Sequence, residues 1–140
     1  MRGIRRAMAM AAAAGVVIAG LALPADASTT AYKRYSWNKS FRVGDCWMYG
    51  GASWTLYPDG TADFDGRLFS VDDDDAWLMW AHLKDASGAI LEDVQVSGST
   101  STKFVKNIPA EAQTYRWFAK GHFNPALYPL IKGMSLSNHC

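Results

Sequence analysis

Residues 52–65 read ASWTLYPDGTADFD, and this stretch decides the fold class. Ala52, Trp54 and Leu56 alternate with Ser53, Thr55 and Tyr57, the period of two that turns one face of a strand toward a core and the other toward water. Pro58-Asp59-Gly60 then supplies a tight turn, because proline presets φ, aspartate bonds nearby backbone and glycine accepts positive φ. Beyond it Ala62 and Phe64 alternate with Thr61, Asp63 and Asp65, so the two runs predict a hairpin with one dry and one wet face.

The same period recurs down the chain. Gly66 is expected to mark a bulge or a close approach before residues 67–71 continue the strand. Four consecutive aspartates, Asp72, Asp73, Asp74 and Asp75, read as an acidic turn, and residues 76–83 (AWLMWAHL) are apolar on both alternate faces, which predicts a central strand. A turn over 84–88 (KDASG) leads to 89–96, where Ile90, Val94 and Val96 lie opposite Asp93 and Gln95. Residues 97–102 (SGSTST) read as a loop, and 104–108 as a strand ended by Pro109. From 113 to 123, Tyr115, Trp117, Ala119 and Phe123 share a face. Asn124-Pro125 is a helix-start signal that Pro129 and Gly133 limit to one short C-terminal helical turn. Over 134–140, Met134, Leu136 and Cys140 share a parity in the last strand. Seven or so short strands joined by turns predict an all-β, antiparallel domain. Short, meander-like connections favour a small barrel, with a two-sheet sandwich as the alternative.

Residues 1–27 read as a secretory signal: Arg2, Arg5 and Arg6 precede an apolar run from Ala7 to Leu23, and Ala25-Asp26-Ala27 offers a small-residue cleavage site. The run is short of the ~20 apolar residues that cross a bilayer, so no stable membrane anchor is expected after cleavage. The exported part is then one β domain over 28–140, secreted to the extracellular space. Losing three arginines and Asp26 turns the formal net charge from +1 to −1, and with no basic cluster nucleic acid is not an expected partner. Two cysteines, Cys46 and Cys140, remain. An even count outside the cytoplasm predicts one disulfide, and only one pairing exists.

All six Trp, six Tyr and six Phe also lie in the exported part, so much of the core must be aromatic. Trp77 and Trp80 stand three apart in one strand and therefore face opposite sides of its sheet. One of them must find cover outside the main core. With Tyr49, Tyr57 and His82 as polar neighbours, this points to an aromatic-lined site for a small apolar or carbohydrate-like molecule, and to a non-catalytic binding module.

Catalytic motifs are absent: the chain lacks G-x-S-x-G, H-E-x-x-H, a P-loop and C-x-x-C. A small hydrolase pairing His82 or His122 with an aspartate stays open, since triads assemble in space rather than in sequence. So does an interaction or inhibitor protein presenting residues 97–103 to an extracellular partner. No cofactor is expected. Asp72 to Asp75 could collect calcium, yet four adjacent acids cannot all point at one centre and the EF-hand order is missing.

The run over 51–91 (GASWTLYPDGTADFDGRLFSVDDDDAWLMWAHLKDASGAIL), with Tyr115-Arg116-Trp117-Phe118 and Ser137-Asn138-His139-Cys140, resembles a family of small secreted actinobacterial proteins classed as a domain of unknown function. The W-T-L-x-x-D-G-T-A hairpin and the D-A-W-L-M-W-A strand carry the likeness. It implies export and a common fold, and brings no catalytic residue. The W-x-L-x-x-D-G-T pattern also resembles calycin-type barrels, an analogy that concerns fold alone.

Overall fold

A computed structural model describes residues 31–109 and 113–140. The export signal expected over 1–27 lies outside them. The predicted hairpin is present as β4 (Ala52–Leu56) and β5 (Thr61–Ser70), paired antiparallel with Trp54 opposite Phe64. Its turn is held as the sequence suggested: Asp59 Oδ1 accepts from the Thr61 backbone N–H and hydroxyl, and Gly60 has φ +89°.

Eleven strands form among the described residues, in two sheets. The larger has the order β1-β4-β5-β10-β8, where β1 is Lys33–Trp37, β10 Thr114–His122 and β8 Gln95–Val96. Off that path, β3 (Cys46–Met48) pairs with β5 and with β2 (Phe41–Val43). The smaller sheet is built on β6 (Asp75–Lys84), which pairs with β11 (Gly133–His139) on one edge and with β7 (Ile90–Asp93) and β9 (Phe104–Ile108) on the other.

The arrangement is a sandwich rather than the closed barrel that the meander-like connections favoured. Two local events break the meander. β10 takes one edge of β5 over nine residues while β4 and β3 take the other, so β6 has no edge of β5 left to pair with. The acidic turn, with Asp74 at φ 56°, carries the chain to the second sheet instead; aspartate is one of the few residues besides glycine that tolerates the left-handed region. Second, the run over 89–96 is not one strand. It divides at the fully buried Val94, giving β7 to the smaller sheet and β8 to the larger.

The core is aromatic, as the composition required. Phe104, Trp54, Phe64 and Trp117 form a chain of tilted and edge-on contacts with centroids 5.2–5.3 Å apart, running from the smaller sheet into the larger. Gly66 sits in an unbroken β5 and is a close approach: a Cβ there would meet the Phe64 ring at 2.7 Å. The expected helical turn is a 3-10 segment, Pro125–Leu130, with Asn124 capping the Ala126 N–H at 3.0 Å. Cys46 and Cys140 form the disulfide, their Cα atoms 6.0 Å apart. Strands β1 to β3 had not been anticipated; in β1 the inward residues Lys33, Tyr35 and Trp37 do alternate, but with a lysine among them. Lys33 Nζ donates to the carbonyls of Tyr128 and Ile131, and burial, then the charge of Lys132, lowers its pKa.

Candidate functional site

β6 is the element that positions the site. Its inward residues Trp77, Met79, Ala81 and Leu83 are fully buried, so by parity Leu78, Trp80 and His82 stand on the outer face of the smaller sheet. The two tryptophans therefore divide as their spacing demanded. Trp77 belongs to the core, where its Nε1–H donates to Asn138 Oδ1 at 3.2 Å. Trp80 is the partly buried indole outside it.

The neighbours of that outer face come from register. Ser137 on β11 lies directly opposite Trp80, and Ser135 opposite His82. Val105 and His139 flank Leu78. On the β7 side Asp93 lies opposite His82. The turn joining β6 to β7 is tied by Asp85, whose Oδ1 accepts from the Ser87 N–H, the Ser87 hydroxyl and the Ala89 N–H. These bonds, that to the Ser87 side chain foremost, lower the Asp85 pKa. Between Leu83 and Lys84 the register then shifts by one residue. That bulge decides the chemistry: continued without it, the pairing of Lys84 with Ile90 would set Glu92 opposite His82 and turn Asp93 to the other face.

The result is a three-residue hydrogen-bonded row. His82 Nδ1 lies 2.6 Å from Asp93 Oδ1, and His82 Nε2 lies 2.7 Å from Ser137 Oγ. A carboxylate only accepts, so Nδ1 carries the proton and donates to Asp93. In the neutral ring this leaves the Nε2 lone pair to accept from the Ser137 hydroxyl. Ser137 reaches the ring along the diagonal between neighbouring strands, a distance long side chains span. The His82 side chain is 16% exposed and that of Asp93 30%, so the hydrogen bond between them is sheltered, while Ser137 is open to solvent.

Of the five residues expected to line a ligand site, two, Trp80 and His82, share the outer face of the smaller sheet. Tyr49 is on the larger sheet, 6.4 Å from the Phe69 ring. Tyr57 lines a shallow groove of about 290 Å³ on that sheet's outer face, with Arg34, Asp63, Phe118 and Lys120. Both acids of that groove are paired, Asp63 with Lys120 inside it and Asp65 with Arg116 beyond its rim, each at 2.9 Å. These bonds raise the pKa of Arg116 and of Lys120. Of the aspartates weighed for calcium, Asp72 and Asp75 come together with Asp45, and Asp75 accepts from Ser70 Oγ. His122 lies apart, its Nε2 2.9 Å from the Ser99 carbonyl oxygen.

Asp93 and Ser137 had not been singled out. Their outward parity was readable, opposite Ile90, Val94 and Val96 in one case and opposite Met134, Leu136 and Cys140 in the other. Nothing in the one-dimensional pattern says that both meet His82.

Comparison with known proteins adds membership without a role. A family model described as a family of unknown function, DUF6294, matches residues 53–140, a segment that contains all four strands of the smaller sheet and the whole Asp93–His82–Ser137 row. No curated protein matches the chain, and no solved structure does. The chain belongs to this family of unknown function.

Proposed function

We propose that this family member is an exported binding module whose ligand rests on the outer face of the smaller sheet, against Trp80. The observation that carries the reading is the company Trp80 keeps: a partly buried indole on a sheet face, set directly opposite Ser137 and beside the Asp93–His82 pair. Such a surface suits a carbohydrate-like molecule. The C–H face of a sugar ring lies on the indole, and its hydroxyls exchange hydrogen bonds with a carboxylate, an imidazole and a serine. Leu78 and the half-exposed Val105 extend the apolar part of the platform.

Export is supported by the charged and apolar pattern of residues 1–27 and by the Cys46–Cys140 disulfide, a bond that persists in oxidising compartments. Among the described residues no helix is long and apolar enough to cross a membrane.

Titration of the oxidised protein with a panel of soluble glycans, followed by tryptophan fluorescence, tests the reading. Trp80→Ala is expected to abolish the response and leave stability nearly unchanged. Trp77→Ala, by contrast, is expected to cost about 3–5 kcal/mol of stability by emptying a core site. Binding that survives Trp80→Ala but is lost in Phe118→Ala would move the ligand to the groove beside Tyr57 and overturn the reading, as would a panel with no binder.

A further inference from the structure

We infer that Ser137 is the nucleophile of an esterase site that removes acyl groups from carbohydrate hydroxyls. The geometry is that of an activated serine. Its Oγ lies 2.7 Å from His82 Nε2, the ring is oriented from its other nitrogen by Asp93 at 2.6 Å, and Ser137 is exposed where the other two are sheltered. Serine alone is a weak nucleophile, and a hydrogen-bonded base whose tautomer is held by a carboxylate is what makes it reactive. Both distances fall in the range that proton transfer needs. The choice of an acylated sugar as substrate rests on the reading of Trp80 as a sugar platform. Trp80 and Ser137 are directly opposed residues of adjacent strands, so a ring lying on the indole brings a substituent over the hydroxyl.

The reaction is ordinary ester hydrolysis with water as the only co-reactant. Ser137 Oγ bonds to the ester carbonyl carbon, and its proton passes to His82 Nε2. The bond from that carbon to the sugar oxygen breaks, the electron pair leaves with the oxygen, and His82 returns the proton to it. Water then attacks the acylated serine, gives one proton through His82 to Oγ, and the carboxylic acid departs. Asp93 touches no reacting atom. It is a positioning residue that keeps Nδ1 protonated and Nε2 free to accept. Because Ser137 stands on an open sheet face, water has direct access to the acyl-enzyme, and esters with good leaving groups are the substrates expected to turn over fastest.

The test uses the oxidised full chain with a fluorophosphonate probe and with p-nitrophenyl acetate. The expected result is a single phosphonyl adduct mapped to Ser137, and ester turnover that falls on the order of 10³-fold or more in Ser137→Ala and in His82→Ala. Asp93→Asn is expected to lower turnover and to alter the shape of its pH profile, a change that a merely structural role would not produce. Ser135→Ala, which faces His82 in register but lies outside the row, is expected to leave both readouts unchanged. Absence of an adduct on folded wild-type protein, an adduct on another residue, or full turnover by Ser137→Ala would each overturn the inference. Glycan binding at Trp80 with no adduct at Ser137 overturns the esterase while leaving the binding face. An adduct at Ser137 with no Trp80 response overturns the acyl-sugar assignment.

Discussion

Reduction of the disulfide is the perturbation whose magnitude the structure sets most directly. Cys46 lies on β3 in the larger sheet and Cys140 directly follows β11 in the smaller one, so the bond staples the two layers across a sequence separation of 94. Opening it returns the loop-closure entropy to the unfolded chain, about 4.7 kcal/mol for a loop of 100 residues in the chain-entropy model. A domain of this size is stable by about 5–15 kcal/mol in total, so the loss is a large share of what holds it folded. With an m-value of about 2 kcal/mol/M, the urea midpoint should fall by about 2 M. The assay compares oxidised protein with protein reduced by a phosphine, following the buried tryptophans Trp54 and Trp77 by fluorescence. A paired Cys46→Ala/Cys140→Ala variant repeats the measurement without reductant. Equal midpoints for oxidised and reduced protein would refute the reasoning, and so would two reactive thiols in unreduced material.

Two further substitutions probe the elements that aim the site. Gly121→Ala would press its Cβ to 2.6 Å from Val94 Cγ1 and 2.7 Å from the Gln95 carbonyl oxygen, where the chain passes between sheets; a loss of about 1–3 kcal/mol in thermal unfolding is expected, and an unchanged melting temperature would show that the crossing can yield. Asp85→Ala tests the turn that sets the β6–β7 register. The folded carboxyl lies below its ordinary value of 3.8, chiefly through the Ser87 hydroxyl, so its stabilisation is fully present above that value and is lost as the pH falls through the folded pKa. Wild type and variant should differ in urea midpoint at neutral pH and converge in strong acid; a gap of the same size at both would refute this account.

Within most strands the sequence was a good guide to face; Ile90, grouped with Val94 and Val96, is the exception, 57% exposed beyond the bulge. Period two set Trp77 and Trp80 on opposite faces without saying which was inward, placed Asp93 and Ser137 opposite the apolar residues of their own runs, and set the β4–β5 hairpin through Pro58-Asp59-Gly60. The disulfide was legible as well, since two cysteines admit one pairing. Alternation is a local property, because each side chain's direction depends on its own backbone. It carries no record of which strand lies alongside. That is why the meander suggested a barrel, why one expected strand proved to be β7 and β8 in different sheets, and why Tyr49 and Tyr57, grouped with Trp77 and Trp80, lie on the other sheet.

What only the tertiary structure decided is the register between strands. The same ten residues of β6 could have met Glu92 instead of Asp93, and a one-residue bulge at the end of the hairpin selects the aspartate. Ser137 joins His82 across 55 positions of sequence and a diagonal of the sheet. Patterning thus determined which residues of a strand share a face, Trp80 with His82 among them; burial decided which face met water, and pairing at long range, where a shift of one residue reverses every side chain, brought Asp93 and Ser137 to His82.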